Sequence, residues 1–449
     1  MASNKTLNAK NLTALGAGRL AALLLEVTKG NATAKRRLRL ELAGEDSPTD
    51  MAREVAKRLN TIARSDSFID WRGRKELIAD LEMQRRAIVD RVAPVDPAIG
   101  FDLIWRLLSL TNGLYERCDD SSGRLQDFFH GMGPDVSALA ELARPDPKDL
   151  ADRLADCLME DEWGHFSDLI PDLTECLGTI GLDRLKAALA KGARTGPHRY
   201  VLRHAFERIA DAEGDVDAFI AHQSEASRKV PAIAAEIAAR LLKQGRTEDA
   251  WHAIEAVDET RPGWIPFEWE DMRAKVLAAL GRAEEAQHFR WNCFARSLNA
   301  DHLRSILKAL PDFEDIEAEG RAMDLTLAHG DTLAALHFLV TWPALEQAAR
   351  LVMSRADELD GTYYELLTPA AELLEARYPL AATLLLRVLI DFALEKGRVK
   401  RYRHAARHLN TCEALSLRIE DFGSISDHDA YLSGLREKHG RKSSFWAEA

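Results

Sequence analysis

The chain has 449 residues, with 60 lysines and arginines against 72 aspartates and glutamates, and 46% of its residues are hydrophobic. This composition is that of an ordinary globular protein, because it is too apolar for a disordered chain and unlike that of collagen. The five cysteines contain no Cys-x-x-Cys pair, which argues against a zinc ribbon or a disulfide scaffold and favours a reducing compartment.

The beginning of the chain carries no pattern typical of a membrane-spanning or secreted segment. The longest apolar run there, Leu20 to Leu25, ends at Glu26 and is far shorter than the ~20 residues that a spanning helix needs. No cleavage site of small residues follows this run. We therefore expect a cytoplasmic protein that does not bind membranes.

The region 1–143 is predicted to be helical, and a boundary is predicted near residues 143–149. Two prolines and several turn-forming residues break the helical pattern there. The pattern leaves open whether 1–143 is a separate domain or the beginning of one continuous helical array.

A polar cluster lies within this first region, at residues 119–123. Asp119 and Asp120 beside Ser121 could hold a hard cation, but they lack the ligand spacing of a calcium loop. A cap by Asp120 or Ser121 on the following helix, with Gly123 in the turn, is the simpler interpretation. A second cluster, Glu160 to His165, is predicted to bury its tryptophan, Trp163, with the indole N–H hydrogen-bonded.

The region 150–449 shows an irregular helical repeat. Gly245, Gly281 and Gly330 each follow an apolar helical segment, and each precedes an alanine by five residues; Gly214 begins a weaker copy. Glycine can end one helix with a positive φ, and alanine lets the next helix approach closely. The pattern resembles the tetratricopeptide repeat. Spacings of 31, 36 and 49 residues between successive glycines are irregular, so we predict an all-α, tetratricopeptide-like helical-hairpin solenoid with a helical N-terminal region.

Charge is distributed unevenly along the chain. Residues 1–64 hold 12 basic and 6 acidic side chains, residues 377–449 hold 13 and 9, and residues 65–376 hold 35 and 57. An acidic array with basic ends suits a superhelix that receives a basic or polar peptide. Acidic side chains that only keep the surface soluble explain the pattern equally well.

The densest basic segment lies at residues 397–409. A helical wheel places Val399, Tyr402, Ala406 and Leu409 on an apolar stripe. The opposite face carries the candidate binding residues Lys400, Arg401, Arg403, His404, Arg407 and His408. Such a face could bind phosphate groups or nucleic acid, or it could be an ordinary basic surface.

Two short patterns in this segment suggest more specific chemistry. His404 and His408 have the spacing of two zinc ligands on one helix face, although no third ligand is recognisable. Arg403 and His408 match the Arg-x4-6-His signature of HEPN-type ribonucleases, a family of helical bundles, and the resemblance implies metal-independent RNA cleavage. Residues five apart on a straight helix diverge by about 140°, so their convergence needs a helix end or a dimer partner.

The tail combines a basic segment, Leu435 to Lys442, with Phe445 and Trp446. These aromatic side chains could stack on bases. We expect them instead to pack against the last helices, because an exposed Phe-Trp pair lowers solubility.

The chain also contains the segments Tyr378 to Arg387, Lys400 to Leu409, His439 to Lys442, and Phe445-Trp446. Together these segments resemble an uncharacterised bacterial family and the helical C-terminal region of bacterial SWIM-type zinc-finger proteins. Asp119 to Gly123 is similar to the same uncharacterised family. SWIM proteins owe their suspected binding functions to a Cys-x-Cys…Cys-x-His motif that this chain lacks. The resemblance therefore implies a helical-repeat fold and says little about the activity of the protein.

The sequence as a whole favours a non-enzymatic interaction module. It lacks the phosphate-binding, dinucleotide-binding, serine-hydrolase and zinc-protease motifs, so no cofactor or metal is expected. We expect a protein or peptide partner in a helical-repeat groove, with residues 398–408 as an anion-contacting patch. The alternatives are a ribonuclease that uses Arg403 and His408, and nucleic acid binding without cleavage.

Overall fold

The structure is a computed structural model that describes residues 6–192, 199–257 and 265–449. Within these residues the chain is helical throughout, and its one extended contact is an isolated bridge between Ile69 and Cys118. The prediction of an all-α protein is therefore confirmed. None of the described helices combines the length and the apolar composition that crossing a membrane requires.

The chain divides into two compact units, Met1–Ser224 and Glu225–Ala449, here called unit 1 and unit 2. The α-helices of unit 1 are α1 (Ala9–Thr13), α2 (Ala17–Val27), α3 (Ala32–Asp46), α4 (Pro48–Ala63), α5 (Trp71–Arg86), α6 (Pro97–Leu108), α7 (Thr111–Arg117), α8 (Arg124–His130), α9 (Gly133–Ala143), α10 (Pro147–Glu160), α11 (Leu169–Gly192), α12 (Arg199–Glu213) and α13 (Val216–His222). A π-helical turn, Ala87–Val92, follows α5, and a 3₁₀ turn, Phe166–Asp168, precedes α11. One apolar core runs through this unit from α3 to α12.

Capping side chains and prolines determine where several of these helices begin. Asp146 accepts hydrogen bonds from the backbone N–H groups of Lys148 and Asp149, and Pro147 occupies the first turn of α10, where a missing N–H is harmless. A capping side chain followed by proline also begins α4 and α6. The segment 143–149, at which the sequence predicts a boundary, lies inside unit 1 between α9 and α10, and both helices pack on α11.

Unit 2 is built from a longer series of helices. They are α14 (Glu225–Arg228), α15 (Pro231–Lys243), α16 (Thr247–Glu255), α17 (Phe267–Ala279), α18 (Ala283–Ser297), α19 (Ala300–Lys308), α20 (Glu314–Leu327), α21 (Thr332–Thr341), α22 (Leu345–Arg355), α23 (Tyr364–Leu374), α24 (Pro379–Glu395), α25 (Tyr402–Ser416), α26 (His428–His439) and α27 (Ser443–Trp446). A continuous apolar core extends from α18 to α27.

Helices that are neighbours along unit 2 pack against each other. The pairs are α15 with α16, α17 with α18, α21 with α22, α23 with α24, and α24 with α25. Several helices also contact the next helix but one, as α15 does with α17, α21 with α23, and α22 with α24. Many of these helices therefore pack against both a sequential and an alternate neighbour.

The repeated glycines do not all play the same conformational role. Gly245 and Gly281 have φ values of 74° and 77° and separate α15 from α16 and α17 from α18. This left-handed conformation is the one that the sequence expects of a helix-ending glycine. Gly330 lacks a positive φ, although the same pattern surrounds it. The alanines five residues after the three glycines are buried, at Ala250, Ala286 and Ala335.

Candidate functional site

The basic segment lies on α25, which an apolar face holds against α24. Gly397, with a φ of 60°, turns the chain after α24 into a 3₁₀ turn, Val399–Arg401, that leads into α25. Three residues of the predicted apolar stripe are buried, namely Tyr402, Ala406 and Leu409. The fourth, Val399, is 62% exposed because it lies in the 3₁₀ turn and not on the α-helical period of α25.

A cavity of about 730 Å³ lies among α23, α24 and α25, and we call it the α23–α25 groove. The segment that enters and forms α25 lines it with Lys400, Arg401, His404, Arg407 and His408. Helix α23 lines it with Tyr364, Glu365, Thr368, Pro369 and Glu372. Helix α24 adds the apolar side chains of Leu389 and Ala393. The groove therefore has one basic side and one side with carboxylates. The helix α24, which lies between α23 and α25 in the sequence, adds apolar side chains to its lining.

Five of the six predicted binding residues line this groove, and Arg403 does not. Arg403 is exposed elsewhere on α25. Arg403 and His408 are thus not brought to one cavity, as the ribonuclease interpretation within a single chain would need. Arg401 lines the groove together with His408. These two residues are seven positions apart, which is close to two helical turns.

Contacts inside the groove fix the orientation of several basic side chains. The Arg401 guanidinium lies 4.1 Å from the ring centroid of Tyr364, within the range of a cation–π interaction. Arg407 Nη2 lies 2.5 Å from His404 Nδ1, so this ring nitrogen accepts a hydrogen bond from the guanidinium. Arg401 is therefore tied to α23, and Arg407 is tied to its own helix.

His408 is half-buried, whereas the adjacent groove residues His404 and Arg407 are exposed. Burial, together with the smaller effects of the nearby His404 and Arg407, lowers the pKa of His408 to about 4. The His408 ring is therefore neutral at pH 7. It can accept or donate a hydrogen bond there, but it adds no positive charge to the basic side.

The acidic side of the groove was not predicted from the sequence. Glu365 and Glu372 are seven residues apart on α23, so they lie about two turns apart on one helix face. Within the described residues, no ion pair joins either carboxylate to the basic side chains of α25. The seven-residue spacing of the two glutamates is visible in the sequence. It does not show that they line the same cavity as the basic residues of α25.

The histidine pair of α25 does not form a metal site with a third ligand. Over the described part of the chain, one group of three histidine, cysteine or acidic residues has ligand atoms within 4.8 Å of one another, and it consists of Glu270, Cys293 and His302. His404 and His408 do not belong to it. Sequence reasoning missed this group because its members come from three helices with no motif spacing.

The aspartate cluster of unit 1 caps a helix. The Asp120 carboxylate accepts hydrogen bonds from the backbone N–H groups of Leu125 and Gln126 at the beginning of α8. Gly123 has a φ of 71° in the turn before that helix. The capping interpretation is therefore correct for Asp120, and Asp119 accepts a hydrogen bond from the Ser121 N–H.

The prediction for the segment Glu160 to His165 is wrong about its tryptophan. Trp163 is 59% exposed, whereas Asp161 and His165 are buried. The Asp161 carboxylate accepts hydrogen bonds from the backbone N–H groups of Trp163, Gly164 and Phe166 and so holds the turn together. The carboxylate occupies the interior of this turn because it satisfies the backbone N–H groups there, and the indole lies on the outside.

The aromatic side chains of the tail pack against α25, as expected. Phe445 is buried, with its ring centroid 6.0 Å from that of Tyr402. The Trp446 indole N–H donates a hydrogen bond to the His439 carbonyl at 3.0 Å. A buried Phe445 leaves no aromatic pair free to stack on bases.

Comparison with known proteins identifies one family. No curated protein matches the chain. A family model described as "Family of unknown function (DUF6880)" matches residues 2–200 and 192–448. Because these two stretches together span far more than half of the sequence, the chain belongs to this uncharacterised family.

Proposed function

We propose that the protein is a non-enzymatic interaction module that binds a polypeptide segment of a partner in the α23–α25 groove. The observation that supports this most strongly is that five of the six predicted binding residues line one cavity together with Glu365 and Glu372, which, among the described residues, form no ion pair with them. Such a groove can select a segment that carries acidic side chains toward α25 and a basic or donor group toward α23.

The packing order of unit 2 supports a scaffold of this kind. Helices that contact both their sequential and their alternate neighbours are typical of stacked helical hairpins, which present extended binding surfaces. We therefore propose an irregular, tetratricopeptide-like arrangement for unit 2. The relation to SWIM-type proteins, a bacterial origin and a cytoplasmic location remain predictions of the sequence.

A matched pair of charge reversals on α25 tests the proposed binding. Arg407 and Arg403 are both exposed and lie one turn apart, but only Arg407 lines the groove. We expect Arg407→Glu to lose at least tenfold in affinity for a partner captured from the lysate of the source cells. Arg403→Glu should bind that partner like the wild type.

The competing probe is a short polyglutamate peptide, which should displace the captured partner from the wild-type chain. Equal retention of the partner by Arg407→Glu and Arg403→Glu would contradict the proposal. So would a partner that polyglutamate fails to displace at any concentration.

A second candidate function is RNA binding or cleavage in the same groove. It is favoured by the presence of Arg401 and the neutral His408 in one cavity, since a cation and a hydrogen-bonding imidazole suit a phosphodiester. His408→Ala should then abolish cleavage of single-stranded RNA without unfolding the protein. A wild-type chain that neither cleaves RNA nor binds it with a salt-dependent affinity rules this function out.

A further inference from the structure

Three metal-ligating side chains of different chemistry meet in the interior of unit 2. Glu270 lies on α17, Cys293 on α18 and His302 on α19. One ligand atom of each, a carboxylate oxygen, the thiol sulfur and an imidazole nitrogen, lies within 4.8 Å of the other two. All three residues are buried.

The helix packing explains why these side chains converge. Helix α17 packs on α18, and α18 packs on α19. A turn at Leu298, with a φ of 49°, folds α19 back so that His302 enters the interior from the first turn of that helix. The cluster therefore joins three consecutive helices at one point.

The hydrogen bonds of the cluster leave it incompletely satisfied. His302 Nε2 lies 2.7 Å from Glu270 Oε2, while Glu270 Oε1 pairs with Arg296. His302 Nδ1 is buried and has no hydrogen-bond partner. Because a carboxylate only accepts hydrogen bonds, Nε2 is the protonated nitrogen that faces the cluster, and Nδ1 of the neutral ring is a buried acceptor that can take up a proton.

The set of donor atoms matches one class of cation. Zn²⁺ binds thiolate, imidazole and carboxylate ligands in tetrahedral sites, whereas Ca²⁺ and Mg²⁺ select oxygen ligands alone. Arg296 can remain on the outer carboxylate oxygen, since its side chain is 63% exposed and reaches the cluster from the surface. Carboxylates that bind a metal through one oxygen are commonly hydrogen-bonded through the other.

We propose that Glu270, Cys293 and His302 bind one Zn²⁺ ion that joins α17, α18 and α19, with water as the fourth ligand. Binding breaks the hydrogen bond between Glu270 and His302: the imidazole gives up its Nε2 proton and takes one up at Nδ1, so that Nε2 can bind the metal. The thiol proton of Cys293 leaves to solvent. Binding therefore weakens as the pH falls. This site is separate from the α23–α25 groove, with which it shares no residue.

Cobalt substitution in the full-length protein tests the site directly. Purified chain is stripped with chelator and titrated with Co²⁺. We expect a thiolate-to-cobalt charge-transfer band and the strong visible absorption of a tetrahedral site, both saturating at a single equivalent of Co²⁺. Cys293→Ser should lose the charge-transfer band. Cys412→Ser, which alters a buried cysteine elsewhere in unit 2, should keep it.

A second measurement on the wild-type chain guards against a variant that fails to fold. Zn²⁺ should raise the thermal unfolding midpoint of the stripped chain, and chelator should reverse the rise. The proposal is overturned if the wild type shows neither the charge-transfer band nor the rise. It is equally overturned if a folded Cys293→Ser chain keeps the same band.

Discussion

At the scale of single residues, His408 illustrates how burial changes the role of a side chain that the sequence places on a basic face. Its pKa falls to about 4, chiefly because the half-buried ring is partly removed from water and also because His404 and Arg407 lie close by. Glu372 from α23 lines the same cavity. The histidine therefore acts as a neutral polar group at pH 7 and becomes a cation only in acid.

The lowered pKa of His408 predicts a loss of stability in mild acid. The unfolded chain takes up this proton near pH 6.5, whereas the folded chain takes it up only near pH 4. The free energy of unfolding should therefore fall as the pH drops from about 6.5 toward 4. Solvent screening reduces the contribution of His408 between pH 7 and pH 5 to roughly 1–2 kcal/mol.

Urea unfolding of the wild type and of His408→Gln at pH 7 and pH 5 measures this contribution. The glutamine variant should lose less stability than the wild type over this interval, because it has no group that titrates there. Equal losses in the two proteins would show that His408 titrates normally in the folded state.

Arg387 of α24 is a second residue whose role depends on burial. Its guanidinium donates hydrogen bonds to the carbonyls of Ser426 and Asp427, at 2.7 and 3.2 Å, and lies 4.3 Å from the ring centroid of Tyr431. These contacts hold the beginning of α26 against α24. They are structural, so the arginine is not available to a ligand.

Arg387→Met should lower the free energy of unfolding by about 2 kcal/mol, since the carbonyls of Ser426 and Asp427 lose their hydrogen bonds to a charged donor. Hydrogen exchange in α26 should accelerate in the same variant. Arg398→Met, at an exposed position, is the control and should change stability by less than about 0.5 kcal/mol. Indistinguishable unfolding curves for the two variants would refute the assigned role of Arg387.

At the scale of elements, Gly281 and Gly330 of unit 2 occur in the same sequence pattern but differ in backbone conformation. Gly281→Ala should destabilise the protein by about 1–2 kcal/mol, because alanine is strained at a φ of 77°. Gly330→Ala should lie within about 0.5 kcal/mol of the wild type, because Gly330 lacks a positive φ and nothing lies within 4 Å of the added carbon. Chemical denaturation of both variants measures the difference, and a larger effect at Gly330 would contradict the turn geometry.

Individual helices were predictable where their apolar period is regular. The apolar helical segment that precedes Gly245 in the sequence is observed as α15, at Pro231–Lys243. The pattern of α25 indicates the buried Tyr402 and Leu409. It fails at Val399, because a wheel drawn with one period cannot show a change from 3₁₀ to α geometry.

Only the basic side of the α23–α25 groove could be predicted from the sequence. A dense run of basic residues is visible in any sequence, so the segment 398–408 could be found directly. The glutamates of α23 and the cluster of Glu270, Cys293 and His302 depend on which helices become neighbours. Tertiary packing sets that choice, and sequence periodicity alone does not report it.

At the scale of the whole molecule, the acidic and basic stretches of the sequence both contribute residues to the α23–α25 groove of unit 2. Glu365 and Glu372 belong to the acidic stretch 65–376, and the basic residues of the groove belong to the stretch 377–449. The α23–α25 groove therefore lies where the acidic and basic parts of the chain meet. Unit 1 contains the first stretch that matches the family, residues 2–200, and unit 2 lies within the second, residues 192–448, except for its last residue.

Hydrogen–deuterium exchange of the full chain with and without its captured partner tests the proposed binding groove most directly. Partner binding should slow exchange in residues 361–372 and 400–411, which contain both charged sides of the groove. Arg407→Glu should show much weaker protection there at the same partner concentration. Unchanged exchange in both segments, with protection confined to unit 1, would contradict the account.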